Sequence, residues 1–306
     1  MVGSQGGRVA FVTAAVARDV DEDLPLIAEA VARVGGTDRV DVVDWDDPTV
    51  DWAGYDAVVI RSTWDYTTRI AEFRAWIDGV DAVTLVANPA GLIGWNTDKR
   101  YLRELAALGV PTVAAVFSEA GEGYSLPDSV EVVVKPAVGA GSRDAGRYRR
   151  TDEAAIAAHV ARLHRGGQVA MIQPYLGSVD TVGEAALFFF AGDYSHAITK
   201  GPLLRLGAEP TRALFAPERI GARSASPAEL DTARAVLGAL GEVPALRGTD
   251  LPPLYARVDL LLDDAGAPAL LELEVCEPSL FLATATGAAD RYVAAVFDLV
   301  GGVIAG

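Results

Sequence analysis

The chain has 306 residues, of which 51% are hydrophobic and 22% charged, and this is the composition of a folded protein with two or three packed lobes. Its 26 Lys and Arg residues against 42 Asp and Glu residues give a formal net charge of −16. Because such an acidic surface repels phosphate backbones and anionic lipids, we expect neither nucleic acid nor a membrane as a partner.

Cysteine usage and apolar runs indicate the compartment. Cys276 is the single cysteine, so no disulfide can form within the chain, and we interpret it as a small packing residue. Residues 1–7 lack the charged region and the apolar run of a signal peptide. No stretch approaches the ~20 uninterrupted apolar residues of a membrane span. We therefore expect a cytoplasmic protein.

Short apolar runs alternate with helical patterns over the first 95 residues. The predicted elements in chain order are a strand over 9–13, a helix over 21–34, strands over 40–43 and 57–60, a helix over 68–77 and a strand over 83–86. This alternation predicts an α/β unit with a parallel sheet. Residues 61–66 follow a predicted strand, and ligands bind beyond the carboxyl ends of such strands.

The remaining residues predict a mixed α+β pattern. Residues 96–99 open a predicted helix with Leu102, Leu105 and Leu108 on one face. Gly192-Asp193 predicts the turn of a hairpin over 184–200. The other predicted elements are strands over 112–116, 130–135, 169–173, 255–262 and 269–275, and helices over 152–165, 228–240 and 288–300.

Common nucleotide and metal motifs are absent from the sequence. There is no Walker A loop, and Gly139-Ala140-Gly141 lacks the third glycine of a dinucleotide fingerprint. The histidines show no metal-binding spacing. We interpret His159 and His164 as surface residues of a polar helix.

Lys135 and the small-residue loop after it are candidates for binding phosphate. The lysine ends an apolar strand, where an unpaired ammonium would be costly to bury and an anion would satisfy it. On its own, a lysine at a strand end is more often simply exposed. The loop over 137–143 could close backbone N–H groups over phosphates, although an ordinary flexible hairpin fits the same residues.

Three carboxylates and one arginine lie in neighbouring predicted strands near the C-terminus. Alternation puts Arg257 and Asp259 on one face of their strand, and Glu272 and Glu274 on one face of the next. Carboxylates this close repel one another unless cations lie between them. Mg²⁺ takes one or two carboxylates together with phosphates, so the pattern predicts a magnesium site. A solvent-exposed face is the alternative, which the adjacent leucine runs disfavour.

Taken together and in this order, these segments resemble the ATP-grasp signature across roughly residues 95–280. The resemblance implies ATP and Mg²⁺ as cofactors, with a carboxylate activated as an acyl phosphate and captured by a nitrogen nucleophile. It also implies an N-terminal substrate-side domain over 1–95, a central lobe over 96–185 and a C-terminal lobe over 186–306.

The resemblance also assigns roles to individual residues. Asp259, Glu272 and Glu274 would hold Mg²⁺, although relatives often carry Asn where Glu274 stands. Arg257 and Lys200 are the catalytic candidates, and either Asp180 or Glu184 would contact the ribose. Two further groups would surround the nucleotide, the phosphate contacts Lys99, Lys135, Gly139, Ala140, Gly141 and Ser142, and the adenine contacts Gln173, Pro174, Tyr175 and Leu176.

A narrower resemblance concerns residues 61–66 and 277–281. Both segments resemble the ATP-grasp cyclo-ligases that close O-ureido-D-serine into D-cycloserine. This implies a small amino-acid-like substrate, contacted by Arg61, Ser62, Thr63, Asp65, Tyr66 and Ser279. Loop capping is the alternative role for these side chains. An intermolecular ligase of the glutathione synthetase or D-alanine–D-alanine ligase type, a kinase and a non-catalytic ATP sensor stay open, as does a homo-oligomer.

Overall fold

The computed structural model describes residues 7–214 and 219–305, and the side chains of residues 7–214 and 219–302. Residues 1–6, on which most of the signal-peptide argument rests, lie outside this part of the chain. Three sheets follow one another along the sequence, the first parallel and the other two antiparallel. Within the described residues, we find no helix with both the length and the apolar character needed to cross a membrane.

The N-terminal sheet is parallel, with strand order β2-β1-β3-β4. Its elements are β1 (Val9–Thr13), α1 (Asp23–Arg33), β2 (Val40–Asp44), β3 (Ala57–Ser62), α2 (Ile70–Asp81) and β4 (Leu85–Ala87). Successive strand residues point to opposite faces, so α1 packs on Val9 and Phe11 while α2 packs on Ala10 and Val12. The predicted parallel sheet with helices on both faces is confirmed.

Two short helices lead into an antiparallel four-stranded sheet of order β5-β8-β6-β7. This part comprises α3 (Ala90–Asn96), α4 (Tyr101–Ala107), β5 (Val116–Ser118), β6 (Glu131–Pro136), β7 (Gly146–Arg149), α5 (Glu153–Arg165) and β8 (Ala170–Pro174). Ile156, Val160 and Leu163 of α5 cover one face of the sheet. The glycine-rich loop joins β6 to β7.

The third sheet has five antiparallel strands in the order β11-β10-β9-β12-β13. Its elements are α6 (Ser178–Thr181), β9 (Glu184–Phe190), β10 (Asp193–Lys200), β11 (Ile220–Arg223), α7 (Pro227–Ala239), β12 (Tyr255–Leu262), β13 (Pro268–Glu274) and α8 (Ala288–Ala305). Ala191 and Gly192 form the hairpin tip with φ angles of 48° and 86°, as its tight turn requires. The predicted hairpin is confirmed.

Helix α8 joins the first sheet to the third. Its residues Tyr292, Val293 and Val296 pack in one core with Phe11 of β1 and Phe188 of β9. Helix α7 covers the opposite face of the third sheet. The N-terminal sheet therefore shares buried surface with the C-terminal sheet, although the central sheet separates the two in sequence.

Three expectations from the sequence are wrong, in each case because the residues contact another part of the chain. The strand predicted over 112–116 begins at Val116, and Thr112 instead bridges to Leu270. Asn96 opens no helix; it ends α3, where its buried amide donates to Leu273 O at 2.8 Å. His159 is buried, with Nδ1 2.9 Å from the Tyr148 hydroxyl and Nε2 3.1 Å from Asp144 O.

Candidate active site

A cavity of about 160 Å³ lies between the central and C-terminal sheets. Most residues that the sequence assigned to nucleotide or metal line its wall, because the ends of β6, β8, β12 and β13 meet there with the glycine loop. They are Lys99, Lys135, Gly139, Ala140, Gly141, Ser142, Gln173, Pro174, Tyr175, Leu176, Glu184, Lys200, Arg257, Asp259, Glu272 and Glu274. Asp180 is the one member of that predicted set outside this lining.

Three of the four acidic residues that line the cavity lie on the paired strands β12 and β13, and the fourth, Glu184, begins β9. Antiparallel register places Asp259 opposite Glu272 and Arg257 opposite Glu274. The Arg257 guanidinium donates to Asp259 at 2.9 Å and also pairs with Glu274. Because these side chains are surrounded by apolar strands, they are held together in a partly dehydrated cluster.

Lysines from three other segments complete this cluster. Lys99 Nζ lies 2.9 Å from Glu272, and Lys135 Nζ lies 3.9 Å from the same carboxylate. Lys200 Nζ donates to Asp259 at 3.0 Å and pairs with Glu184. Lys99 and Lys135, which the sequence assigned to the ATP phosphates, are therefore paired with a carboxylate in this structure.

Burial and neighbouring charges move the pKa values of the cluster apart. Burial and repulsion from Asp259 raise the pKa of Glu274 to about 8 despite the Arg257 guanidinium. Burial likewise raises the pKa of Glu184 to about 7. Asp259 is also buried, yet Arg257 and Lys200 hold its pKa below the ordinary range. Burial lowers the pKa of Lys135, with Lys99 adding to the effect.

The carboxylates have the chemistry of a magnesium site but do not converge on one point. Among the side chains that the structure describes, no three His, Cys, Asp or Glu residues lie close enough together to hold a metal ion. Instead, each of these carboxylates pairs with a basic side chain. Asp259 pairs with Lys200, Glu272 with Lys99 and Glu274 with Arg257. Their hard oxygen ligands fit Mg²⁺, a cation that commonly takes one or two carboxylates together with phosphates.

The glycine-rich loop crosses the cavity with an unusual backbone. Gly141, Ser142 and Asp144 have φ angles of 60°, 57° and 57°. Lys99 reaches back to this loop, donating from Nζ to Gly139 O at 2.5 Å. Helix α5 fixes the far end, because Arg162 Nη1 donates to the Asp144 carboxylate at 2.6 Å and His159 contacts Asp144 O.

The predicted adenine segment lies in the cavity, and part of its backbone is already hydrogen-bonded. The Tyr175 N–H donates to Glu131 O at 2.9 Å and is therefore not free for an adenine edge. The Arg147 guanidinium lies 3.5 Å from the centroid of the Tyr175 ring. Asp180 accepts from Arg147 and from the Tyr175 hydroxyl, whereas Glu184 lines the cavity. Of the two ribose candidates, Glu184 is thus the one that lines the cavity.

A second cavity of about 370 Å³ adjoins the first on the side of the N-terminal sheet. Ala140, Gly141, Arg257 and Glu274 line both cavities, so the two meet beneath the glycine loop. The remaining wall includes the segment between β1 and α1 together with Trp64, Glu277, Ser279 and Phe281.

The structure places most of the predicted substrate contacts away from both cavities. Of the predicted set, Ser279 lines the second cavity, while Arg61, Ser62, Thr63, Asp65 and Tyr66 line neither cavity. The Arg61 side chain is fully buried and donates to Pro278 O at 3.2 Å and to Asp23 at 3.4 Å. Its guanidinium therefore links Asp23, in the wall of the second cavity, to the segment around Pro278.

The other members of this segment are also engaged elsewhere. Ser62 hydrogen-bonds Thr13 at 2.7 Å, whereas Thr63 is buried with no hydrogen-bond partner for its Oγ1 among the described residues. Asp65 accepts from Trp45 Nε1 at 2.9 Å, and Tyr66 stacks on Phe73. Sequence reasoning missed the residues that do line the cavity, Asp21, Glu22, Asp23, Trp64 and Glu277, although Asp21–Asp23 follow β1 at the sheet edge where ligands bind.

Comparisons with known proteins agree with this arrangement. The family model described as D-cycloserine synthetase DcsG, N-terminal domain, matches residues 9–88. The cycloserine biosynthesis protein DcsG of Streptomyces lavendulae is 42% identical over 301 residues, which cover 95% of this chain and 98% of that protein.

Solved structures give the same result. The crystal structure of D-cycloserine synthetase DcsG is 39% identical and superposes with a TM-score of 0.84 over 96% of this chain and all of that one. D-alanine–D-alanine ligase from Bacillus anthracis, solved with ATP, shares the fold at 13% identity, with a TM-score of 0.62 over 97% of this chain and 98% of its own. The chain therefore belongs to the D-cycloserine synthetase family of ATP-grasp ligases.

Proposed function

We propose that this chain is an ATP-dependent ligase that converts O-ureido-D-serine into D-cycloserine. The observation that carries the proposal is the meeting of two cavities at Arg257, Glu274 and the glycine loop, one lined by lysines and carboxylates and the other by the N-terminal sheet edge. A phosphate donor in the first cavity and a carboxylate acceptor in the second would meet at that junction. The family relationship supports this choice of product.

ATP would bind in the first cavity. Its phosphates would take Lys99 and Lys135 as partners under the glycine loop, and Glu184 would face the ribose. The lysines are already balanced by carboxylates, so a polyphosphate adds negative charge that the described side chains do not compensate. Asp259, Glu272 and Glu274 would hold Mg²⁺, which supplies positive charge to the phosphate oxygens.

The side chains of the chain then orient and stabilise the reacting groups. Arg257 lies at the junction and can hold the substrate carboxylate against the γ-phosphate and later stabilise the oxyanion of the ring-forming step. Lys200, beside Asp259, is the second candidate for stabilising transferred charge. The glycine loop covers both cavities and would exclude the water that hydrolyses an acyl phosphate.

Ring closure needs orientation more than a new partner molecule. The nucleophilic nitrogen and the activated carboxyl belong to the same substrate, so a pocket that folds it into a near-attack shape gains effective molarities of ~10⁵–10⁸ M. The ring nitrogen of the product carries no carbamoyl group. Hydrolysis must therefore release that group as carbamate, in addition to ADP and phosphate.

The test is product analysis with a single organic substrate. We expect purified enzyme with ATP, Mg²⁺ and O-ureido-D-serine to give D-cycloserine by mass spectrometry, with less product from the L-isomer. Chelation of the metal should stop turnover. ATP turnover that appears only after a separate amine is added would replace this proposal with an intermolecular ligase, and a phosphorylated substrate without amide formation would indicate a kinase.

A further inference from the structure

Arg147 lies at the outer edge of the central sheet, on the face that is turned to the first cavity. Its strand β7 is the edge strand of that sheet, and antiparallel register places Arg147 opposite Val133 of β6. Directly opposite residues project to the same face, and Val133 and Lys135 on this face line the first cavity. Arg147 lines neither cavity, so it lies beside the cavity wall and not in it.

The Arg147 side chain connects the sheet with two segments of the cavity wall. Nε donates to Glu131 at 2.5 Å, and Nη2 donates to Asp180 at 3.0 Å. The guanidinium lies 3.5 Å from the centroid of the Tyr175 ring, whose hydroxyl also donates to Asp180. Nη1 donates to Leu204 O at 3.4 Å. The side chain is 14% exposed, and two carboxylates balance its charge.

The segment after β10, described over residues 201–214, runs from the C-terminal sheet to this edge. Leu206 forms a parallel bridge with Arg147, and the N–H of the next residue donates to Arg147 O at 2.9 Å. The same segment places Leu203 and Leu204 in the lining of the first cavity. The edge of β7 is therefore covered by a segment that also supplies an apolar part of the cavity wall.

The apolar and polar parts of the cavity lining differ in what they can bind. A planar heterocycle binds between apolar surfaces, whereas phosphates need cations. Lys99 and Lys135, the proposed phosphate contacts, are held by Glu272. Loss of the Arg147 side chain should therefore loosen the apolar wall and leave the phosphate contacts in place. The apolar lining comprises Val133, Leu176, Val179, Leu203, Leu204, Leu261 and Leu271.

Resting on the proposed function, we propose that Arg147 is a positioning residue for the base of ATP. Its guanidinium holds Tyr175, in the predicted adenine segment, and Leu204, in the segment after β10, at a fixed separation. The base then enters a slot that is already formed, and its binding orders fewer side chains.

The experiment compares a ligand that has a base with one that has none. Calorimetry in a Mg²⁺ buffer measures Kd for ADP and for inorganic tripolyphosphate with wild type and with Arg147→Ala. We expect Kd for ADP to rise about tenfold, the scale of one lost hydrogen bond. Kd for tripolyphosphate should stay unchanged, because the Arg147 charge is already balanced by Glu131 and Asp180. KM for ATP should rise with Kd for ADP while kcat stays unchanged.

Two further variants separate the position of the guanidinium from its charge. Arg147→Lys keeps the charge but loses the planar group that stacks on Tyr175, so it should also weaken ADP binding and spare tripolyphosphate. The matched control is Arg149→Ala, because Arg149 is an exposed residue of the same strand. It should bind both ligands as wild type does.

Equal losses for ADP and tripolyphosphate would assign Arg147 a general structural role and overturn the inference, as would an unchanged Kd for ADP. If Arg147→Ala does not fold, Arg147→Lys decides by the same two criteria. Binding requires no turnover, so the proposed function is tested separately. Wild type that binds ADP but forms no ring product would overturn the proposed function alone, whereas wild type that does not bind ADP would overturn both.

Discussion

Glu274 shows how a single residue of the site balances stability against ligand binding. It is partly buried against Arg257 and Asp259, and its pKa is raised to about 8, so near neutral pH most of it is protonated in the ligand-free protein. A proton is held there because burial and the neighbouring carboxylates disfavour another negative charge. A bound cation would reverse that preference and release the proton.

Glu274→Gln reproduces the protonated side chain and gives a test with a defined sign. The folded protein holds the proton between the ordinary pKa of 4.5 and about 8, whereas the unfolded chain does not, so wild-type stability should fall as pH rises through this window. We expect the melting temperatures of the variant and wild type to agree at pH 4 and the variant to be the more stable at pH 8.5. Turnover of the variant should drop strongly. Matching stability curves at both pH values would contradict the assignment.

At the scale of elements, the glycine loop depends on the helix behind it. Arg162 and His159 of α5 both hold Asp144, and Asp144 N also donates to Thr211 O at 2.8 Å. The end of the loop is thus tied to a helix on one side and to the segment after β10 on the other. Such anchoring limits where the loop can close.

Loss of one anchor should therefore change nucleotide binding without unfolding the lobe. We expect Arg162→Ala to raise KM for ATP several-fold and to speed hydrogen exchange at residues 139–143, because the partly exposed ion pair at Asp144 is removed. The control is Arg165→Ala, because Arg165 is an exposed residue of the same helix. Unchanged exchange in the loop would show that α5 does not position it.

The same scale shows how far sequence patterns predict this molecule. Strand β12 was predicted to the residue, because apolar residues on either side of Arg257 and Asp259 indicate burial of both faces. Sequence patterns did not predict the burial of polar side chains that depend on distant partners. His159 is buried by Tyr148 and Asp144, and Arg61 by Asp23 and Pro278, and no local pattern encodes those pairings.

The nucleotide side of the site was more predictable than the substrate side. Lys135, Asp259 and Glu272 stand at regular strand positions, so alternation and strand ends place them in one cavity. The second cavity is formed by irregular segments from both ends of the chain, around Asp21 and Glu277. Their proximity follows from the tertiary fold, which the periodicity of apolar residues in the sequence does not predict.

At the scale of the whole molecule, one core joins the two ends of the chain. Phe11, Phe188 and Tyr292 are each buried in it, and they come from the first sheet, the third sheet and α8. Because buried contacts couple the elements that make them, the first and third sheets should unfold as one cooperative unit.

Phe11→Ala tests that coupling by removing a fully buried ring from the first sheet. We expect a loss of about 3–5 kcal/mol in the free energy of unfolding. Native-state hydrogen exchange should report the same loss at amides of β9 as at those of β1. A loss confined to the N-terminal sheet would mean that this sheet unfolds independently. The control is Ile156→Val in the central lobe, because its core does not contain Phe11.

The residues shared by the two cavities bear on how products leave. Ala140 and Gly141 cover the nucleotide cavity and the second cavity at once, so a loop closed over ATP also closes over the amino acid. Departure of ADP and of the ring product would then wait for the same opening event. The two products should consequently be released with a common rate, and that rate should slow as solvent viscosity increases.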